Sequence, residues 1–504
     1  MSVMLNAYPD SCGGKLSCLV KMLQREEFRD AFSQLYILPS LFQSDLDRGF
    51  SVISYDINED LADADALVAL QNLNLELLLD FVLNHLSVQS PQFQDLLKNG
   101  DESEFKDFFI DWNEFWKGKG KLSSEGYIIP EEQYLSKLFM RKPGLPILKI
   151  PFPDGTARFY WNTFYQRVTE TSDGVEFLGQ MDLNGNSAKV WEFYDETFRK
   201  MEAYGAKIVR LDAFAYLHKE AGLSNFFNEP GTWDYLMRLK DLADKHGLTL
   251  LPEIHSKYED LIHREISKRG FPIYDFFFPG LVFYTIETRQ TAKLLEWIDE
   301  IIENNYRTIN MLGCHDGIPV LDVKGLLDEN QIEDLMTVIQ NRGGRIKDLY
   351  GPDGKKIAYY QINSTFFSAF GEDENKLLLA RAVQMFMPGT PLVWYLDLFA
   401  GTNDYEAADS IGHKDINRTN LTEADIDKRL ELPVVRNQLK LLRFRNTSTA
   451  FSDTAELSVE ADNEILTMCW NNSGTEARLT ADLNACNFKI EHKEPAGEWI
   501  ELLI

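Results

Sequence analysis

The chain has 504 residues, enough for one large core with smaller units added to it, and 44% hydrophobic against 26% charged residues excludes a disordered protein. Its 51 basic and 79 acidic residues leave a net charge of −28, which excludes nucleic acid or an anionic membrane as partner. No apolar run approaches the ~20 residues of a membrane span, no basic-then-apolar leader opens the chain, and five cysteines without paired spacing (Cys12, Cys18, Cys314, Cys469, Cys486) suit a reducing cytoplasm.

In chain order, eight apolar runs read as buried strands: Val3–Tyr8, Gln34–Leu38, Leu75–Phe81, Lys207–Leu211, Leu248–Leu251, Ile273–Phe277, Ile309–Leu312 and Pro391–Tyr395. Helical patterns separate most of them. One places Val190, Tyr194, Phe198 and Met201 on a single face, and Gly205 then stops the helix before the fourth strand. Strands this apolar, alternating with helices, predict a parallel α/β fold. Two connections are too long for one helix. The first, between Asn84-His85 and Lys207, is rich in aromatic, Pro and Gly residues. The second, between Asp316 and the last strand, holds Arg342-Gly343-Gly344-Arg345 and Gly351-Pro352-Asp353-Gly354. After Phe444 the helical pattern gives way to short alternating runs such as Glu464–Trp470, which predict a small terminal β domain.

Three of the strands run into acidic segments: Val209-Arg210-Leu211-Asp212-Ala213, Leu251-Pro252-Glu253-Ile254-His255 and Gly313-Cys314-His315-Asp316-Gly317. In a (β/α)₈ barrel all strand C-termini meet on one face, and that face holds the chemistry. Three carboxylates converging there can supply a nucleophile, a general acid and a third charge, the set that glycosidic-bond chemistry needs. Adjacent strand ends stand ~4.8 Å apart, close to the ~5–5.5 Å between the two carboxyl groups of a retaining site. By strand alternation Arg210 points to the same side as Asp212, where a cation favours the ionised nucleophile.

The order of these segments resembles the α-amylase family, glycoside hydrolase family 13. The resemblance implies a TIM barrel with Asp212 as nucleophile, Glu253 as acid/base and Asp316 as stabiliser of the transition state, and His85 and His315 as donors to the glucose ring. Asp47-Arg48-Gly49-Phe50 is similar to the family segment whose Asp, paired with a late Arg (here Arg418), closes the pocket on one terminal glucose. Phe164 and Gln180 resemble the aromatic platform and glutamine that frame the same subsite. Tyr360 and Gln361, in Tyr360-Gln361-Ile362-Asn363-Ser364-Thr365, resemble the loop that swings between acceptor and phosphate states in sucrose phosphorylases. The implied partition is a barrel of 1–85, 181–317 and 369–445, a domain B of 86–180 after the third strand, a second insertion of 318–368 after the seventh, and a β domain of 446–504.

The implied reaction is retaining transfer of glucose from sucrose to inorganic phosphate through a covalent glucosyl-enzyme, with the sugar and phosphate as the only ligands and with no metal or other cofactor. Such chains occur as monomers or homodimers. Phosphate must be held against the protein's negative charge, and the basic residues of the two insertions are the candidates: Arg141 and Lys142, then Arg342, Arg345, Lys347, Lys355 and Lys356. The chain departs from the family at Gly313 (usually Asp), at Asp397 (usually Gly), at Thr419-Asn420 (usually His-Tyr) and in the long spacing from Phe164 to Gln180. These departures put the acceptor in question: fructose is the default, Tyr360 standing where enzymes for fructose 6-phosphate commonly have His. Fructose 6-phosphate, held by cations such as Arg48, Arg141, Lys142 and Arg345, is the rival; glycerol or glycerate acceptors and an α-glucosidase are the further alternatives.

Overall fold

A computed structural model describes the backbone of residues 2–142, 144–171, 174–350 and 356–504, and all their side chains except those of 170, 171, 174, 175, 348–350 and 356–360. Eight parallel strands form the frame: β1 (Met4–Ala7), β2 (Gln34–Ile37), β3 (Glu76–Val82), β4 (Ala206–Asp212), β5 (Thr249–Pro252), β6 (Ile273–Asp275), β7 (Thr308–Met311) and β8 (Thr390–Trp394). Ladders join them in the order β5-β4-β3-β2-β1-β8-β7-β6, so first and last strands pair and β5 and β6 adjoin at the seam of a nearly closed barrel. Each of the eight apolar runs overlaps one of these strands, with ends that differ by a residue or two. The strands are buried on both faces, the reason their sequence is continuously apolar rather than alternating.

The expected helix spans Ala188–Ala203, with Val190, Tyr194, Phe198 and Met201 buried; Gly205, at φ +93°, ends it in a conformation other residues adopt only under strain. The long stretch after β3 packs around its own aromatic cluster, in which Trp112 and Trp161 lie 4.9 Å apart beside Trp116. It contributes antiparallel pairs, including Gln166–Thr171 with Gly174–Asp182. The stretch after β7 holds a helix (Glu329–Asn341) and a hairpin of Arg345–Tyr350 with Lys356–Asn363, and Ile362 pairs back to Ile318 beside the H-D segment. Five antiparallel strands between Glu456 and Glu501 form the terminal sheet. Its second strand, Ile465–Asn472, alternates buried and half-buried residues as the sequence pattern requires, and Trp470 donates to the Phe386 carbonyl of the barrel at 2.9 Å.

Candidate active site

The C-terminal ends of the barrel strands open into a cavity of about 530 Å³. Asp212, Glu253 and Asp316 all reach its wall, with Asp47, Phe50, His85, Phe164, Gln180 and His315 around them. Strand register explains the first pair. Leu211 on β4 lies beside Pro252 on β5, so the next residues, Asp212 and Glu253, leave their strands side by side. Ala213 then takes φ +51°, and its N–H donates to Glu253 Oε2 at 3.1 Å.

Arg210 is buried beneath these carboxylates. Its guanidinium is in close contact with both Asp80 on β3 and Glu253, and reaches Asp212 Oδ1 at 3.2 Å. The Tyr36 hydroxyl donates to the other Asp80 oxygen at 2.6 Å. Burial and the charge of Glu253 push Asp212 well above the usual carboxylate range. Burial also penalises the Glu253 carboxylate, but Arg210 and then His255 outweigh it and hold Glu253 low. The shared guanidinium and the burial thus shift the two carboxyls in opposite directions, Asp212 up and Glu253 down. Strand alternation points Arg210 at Asp212; the structure adds that the same guanidinium also binds Glu253.

Asp316 is held from two sides. Lys414 Nζ lies 2.7 Å from its Oδ1 and Arg418 Nη2 3.5 Å, and these cations with His315 overcome burial and keep the carboxyl well below its ordinary value. Its backbone carbonyl accepts from Gln361 at 2.7 Å and from Asn363 at 2.8 Å. Gln361 thus supports Asp316 from behind and is not on the cavity wall, a correction to its reading as a sugar contact. The Tyr360 side chain lies outside the described residues.

The narrow end has the expected pair: Arg418 Nη1 is 3.4 Å from Asp47 Oδ1, while Arg418 Nε donates to the His315 carbonyl at 2.8 Å. Asp47 and Arg48 both take left-handed φ, and a side chain at Gly49 would strike the backbone of Ser40, which is why the turn reads Asp-Arg-Gly. The Phe50 ring stacks on His315 at 4.9 Å, and its carbonyl is met by Gln180 Nε2 at 2.8 Å and His85 Nε2 at 2.9 Å. Burial keeps both histidines neutral, His315 being pushed down to about 3. The residues between Phe164 and Gln180 form the hairpin of Gln166–Thr171, so the long spacing costs no proximity. Tyr165 N–H still donates to Gln180 Oε1 at 2.8 Å.

Of the cations, Arg141, Lys142 and Lys347 line the cavity. Arg141 bonds the Tyr216 hydroxyl and lies 5.7 Å from the Phe164 ring centroid. Lys142 donates to Gln166 at 3.1 Å and contacts Asn162, and burial lowers it to about 8. Lys347 is pushed down to about 7 by burial and then by Lys414 and Arg141. Three expected cations are elsewhere. Arg345 pairs with Asp409 at 2.7 Å, Arg342 with Glu287 at 2.9 Å, and Arg48 is spent behind the pocket on Asp10 at 3.0 Å and the Arg418 carbonyl at 2.6 Å. Lys355 lies outside the described residues, as does the Lys356 side chain. Sequence reasoning missed Lys414 and Tyr216 and gave His255 no role. Lys414 lies in the short helical turn His413–Asn417, four residues before Arg418 at its end, a spacing that could have found it. Ligand atoms of Glu253, His255 and Asp316 lie within 4.8 Å of one another. Arg210, Lys414 and Arg418 already meet the charge of these carboxylates, so the cluster does not call for an ion.

No protein-family model matches the chain. Sucrose 6(F)-phosphate phosphorylase of Ilumatobacter coccineus is 59% identical over 501 residues, covering 97% of this chain and 95% of that protein. This chain belongs to the sucrose phosphorylase group of the α-amylase family. The phosphorylase is also 33% identical to the sucrose phosphorylase of Streptococcus mutans, over 92% of this chain and 90% of that one. It superimposes on the crystal structure of sucrose 6F-phosphate phosphorylase from Thermoanaerobacter thermosaccharolyticum with a TM-score of 0.89 at 35% identity, covering 100% of this chain and 97% of the other. As a member of this group it is a disaccharide phosphorylase, a glycosyltransferase.

Gly313 and Asp397, the two positions read as departures from the family pattern, adjoin in the structure. A Cβ on Gly313 would stand 2.7 Å from Asp397 Oδ2, so the carboxylate at 397 fills the space that a side chain at 313 would take. Asp397 is buried, accepts from Phe366 N–H at 2.9 Å, and is pushed up to about 6 by burial against the pull of Arg381. Thr419 and Asn420 are likewise occupied behind the pocket, with Tyr395 and with Asp10. None of these residues lines the cavity, which corrects their reading as acceptor-side changes. Gly313→Asp alone is expected to destabilise the phosphorylase by about 2–4 kcal/mol through overpacking and an unpaired buried charge. Adding Asp397→Gly should restore most of the loss. Urea unfolding of the two single variants and the double one checks this, and additive losses would separate the sites.

Proposed function

We propose that the phosphorylase transfers the glucosyl unit of sucrose 6′-phosphate to inorganic phosphate, releasing α-glucose 1-phosphate and fructose 6-phosphate. The observation that carries this reading is the cationic wall of Arg141, Lys142 and Lys347 in a cavity whose glucose end is shut by Arg418, Asp47 and Lys414. Two anions, a sugar ester and orthophosphate, have to enter beside three carboxylates, and only local cations offset that repulsion. The 59% identical relative of the same printed activity supports it. Plain sucrose is the second reading, carried by Tyr360 in place of a histidine.

In this proposal the substrate's leaving oxygen approaches Glu253, which has to carry a proton, while Asp212 has to be ionised to attack. Glu253 gives its proton to the leaving oxygen as Asp212 attacks the anomeric carbon. Asp316, ionised by Lys414 and Arg418, stabilises the oxocarbenium-like transition state. Phosphate then displaces Asp212 from the glucosyl-enzyme. The domain partition given above, a cytoplasmic location and a monomer or homodimer belong to the same proposal. Among the described residues no helix is long and apolar enough to cross a membrane.

The test is release of α-glucose 1-phosphate from sucrose 6′-phosphate and from sucrose, with and without inorganic phosphate. A kcat/KM at least ~100-fold higher for the ester is expected, the worth of a charge-assisted contact or two. Equal values would return the enzyme to plain sucrose, and turnover without phosphate would make it a hydrolase. Lys347→Gln is expected to raise KM for the ester about tenfold or more while changing sucrose turnover little. An equal loss on both substrates would remove Lys347 from the ester site.

A further inference from the structure

His255 follows Glu253 by two residues, and its ring lies on Phe276 with centroids 3.8 Å apart. On one side its Nδ1 stands 3.3 and 3.4 Å from the two oxygens of Asp322. On the other its Nε2 stands 3.5 Å from Glu253 Oε1. Asp322 is 1% exposed, and its backbone carbonyl accepts from Tyr258 N–H at 2.9 Å, which ties the segment after β7 to the segment after β5. The transfer reaction described above makes no use of Asp322.

An imidazole between two carboxylates has to donate on both sides. The neutral ring carries one N–H, so a tautomer that donates to Asp322 turns a lone pair on Glu253; only the imidazolium satisfies both neighbours. We propose that Asp322 is a positioning residue that holds His255 as an imidazolium against Glu253, so that the acid/base carboxylate works beside a fixed cation. The inference rests on Glu253 as the acid/base. The proton given to the leaving oxygen comes from Glu253; His255 keeps its own and stabilises the carboxylate left behind.

The other charged and titratable groups around the pair do not replace Asp322. Asp80, Arg210 and Asp212 from β3 and β4 are engaged with one another, and Asp316 after β7 is paired with Lys414. Tyr216, Tyr274 and Cys314 are neutral acids kept so by burial, and Asp275 on β6 accepts from Trp297 and two backbone N–H groups. Burial works against the imidazolium, yet Asp322 and Glu253 raise His255 to about 9.

Two measurements test this. In Asp322→Asn the basic limb of the kcat/KM profile is expected to fall from near 9 by about two units or more, since burial then drives His255 neutral. Asp322→Glu should restore most of the profile. A loss of activity that is uniform across pH, with the limb unmoved, would mean a purely structural Asp322 and overturn the proposal. Independently of any fold defect in that variant, the imidazole resonance absent from His255→Gln is followed by nitrogen-15 NMR in the native enzyme. Titration near 9 supports the proposal, and titration at or below the ordinary ~6.5 overturns it. Failure of Glu253 as acid/base would appear separately, as activity surviving in Glu253→Gln.

Discussion

Asp212→Asn is expected to lower kcat for glucosyl transfer by about 10⁴-fold or more, the scale on which losing one member of a catalytic unit acts, while sugar binding survives. The amide is nearly the same size, so the neighbours of Asp212 stay in place. Its two sides are held without it, Arg210 by Asp80 and Glu253, and the glucose end by Asp47, Arg418, Phe50 and His315. What is lost is the anionic oxygen that attacks the anomeric carbon. The substitution also separates two effects that the wild type merges. The variant lacks the nucleophile, while Arg210 and His255 still hold Glu253 low. Activated glucosyl donors that need no acid, such as glucosyl fluoride, should therefore rescue it poorly, whereas they should rescue Glu253→Gln well. Titration calorimetry with the sugar and rapid-quench measurement of the glucosyl-enzyme check the prediction. A variant retaining more than about a tenth of the native rate would remove Asp212 from the nucleophile role.

The barrel was legible because burial on both faces forces each strand into a continuous apolar run, and because Gly205 and the acidic segments mark where elements stop. The strand-end carboxylates were legible for the same reason: register alone sets Asp212 beside Glu253. Contacts made across long separations were not. Lys414 meets Asp316 from a turn almost a hundred residues later, and only its four-residue spacing from Arg418 hints at it. The cations of the second insertion read alike in sequence, yet Lys347 faces the cavity while Arg342 and Arg345 satisfy Glu287 and Asp409. Gly313 and Asp397 looked like two changes at the acceptor; in the structure they adjoin, the Asp397 carboxylate lying where a side chain at 313 would stand. Nor could the sequence show that Arg210 is shared, since alternation points it toward Asp212 but does not reveal that the same guanidinium also binds Glu253.

That shared guanidinium carries the other large effect. Arg210→Met is expected to destabilise the fold by about 3–5 kcal/mol, the range found when one partner of a buried ionic cluster is removed. Asp80, Asp212 and Glu253 then remain buried, and among the described residues the ion pair left to them is that of Glu253 with His255 at the edge. The methionine fills much of the volume, so the loss is electrostatic rather than a cavity. Even with Arg210 present, burial lifts Asp80 to about 6, and without it the carboxylates can stay buried only by taking up protons. Their folded-state values then rise above the unfolded ones, so the folded chain binds more protons than the unfolded chain. Stability is kept at low pH and lost as pH rises through the raised values. The variant should consequently lose more stability at pH 8 than at pH 5.5, and urea unfolding at the two pH values measures the difference. A loss independent of pH would mean that packing, not charge, is what Arg210 supplies. Arg210→Lys is expected to recover only part of the stability, because a point ammonium cannot bond three carboxylates that a planar fork spans.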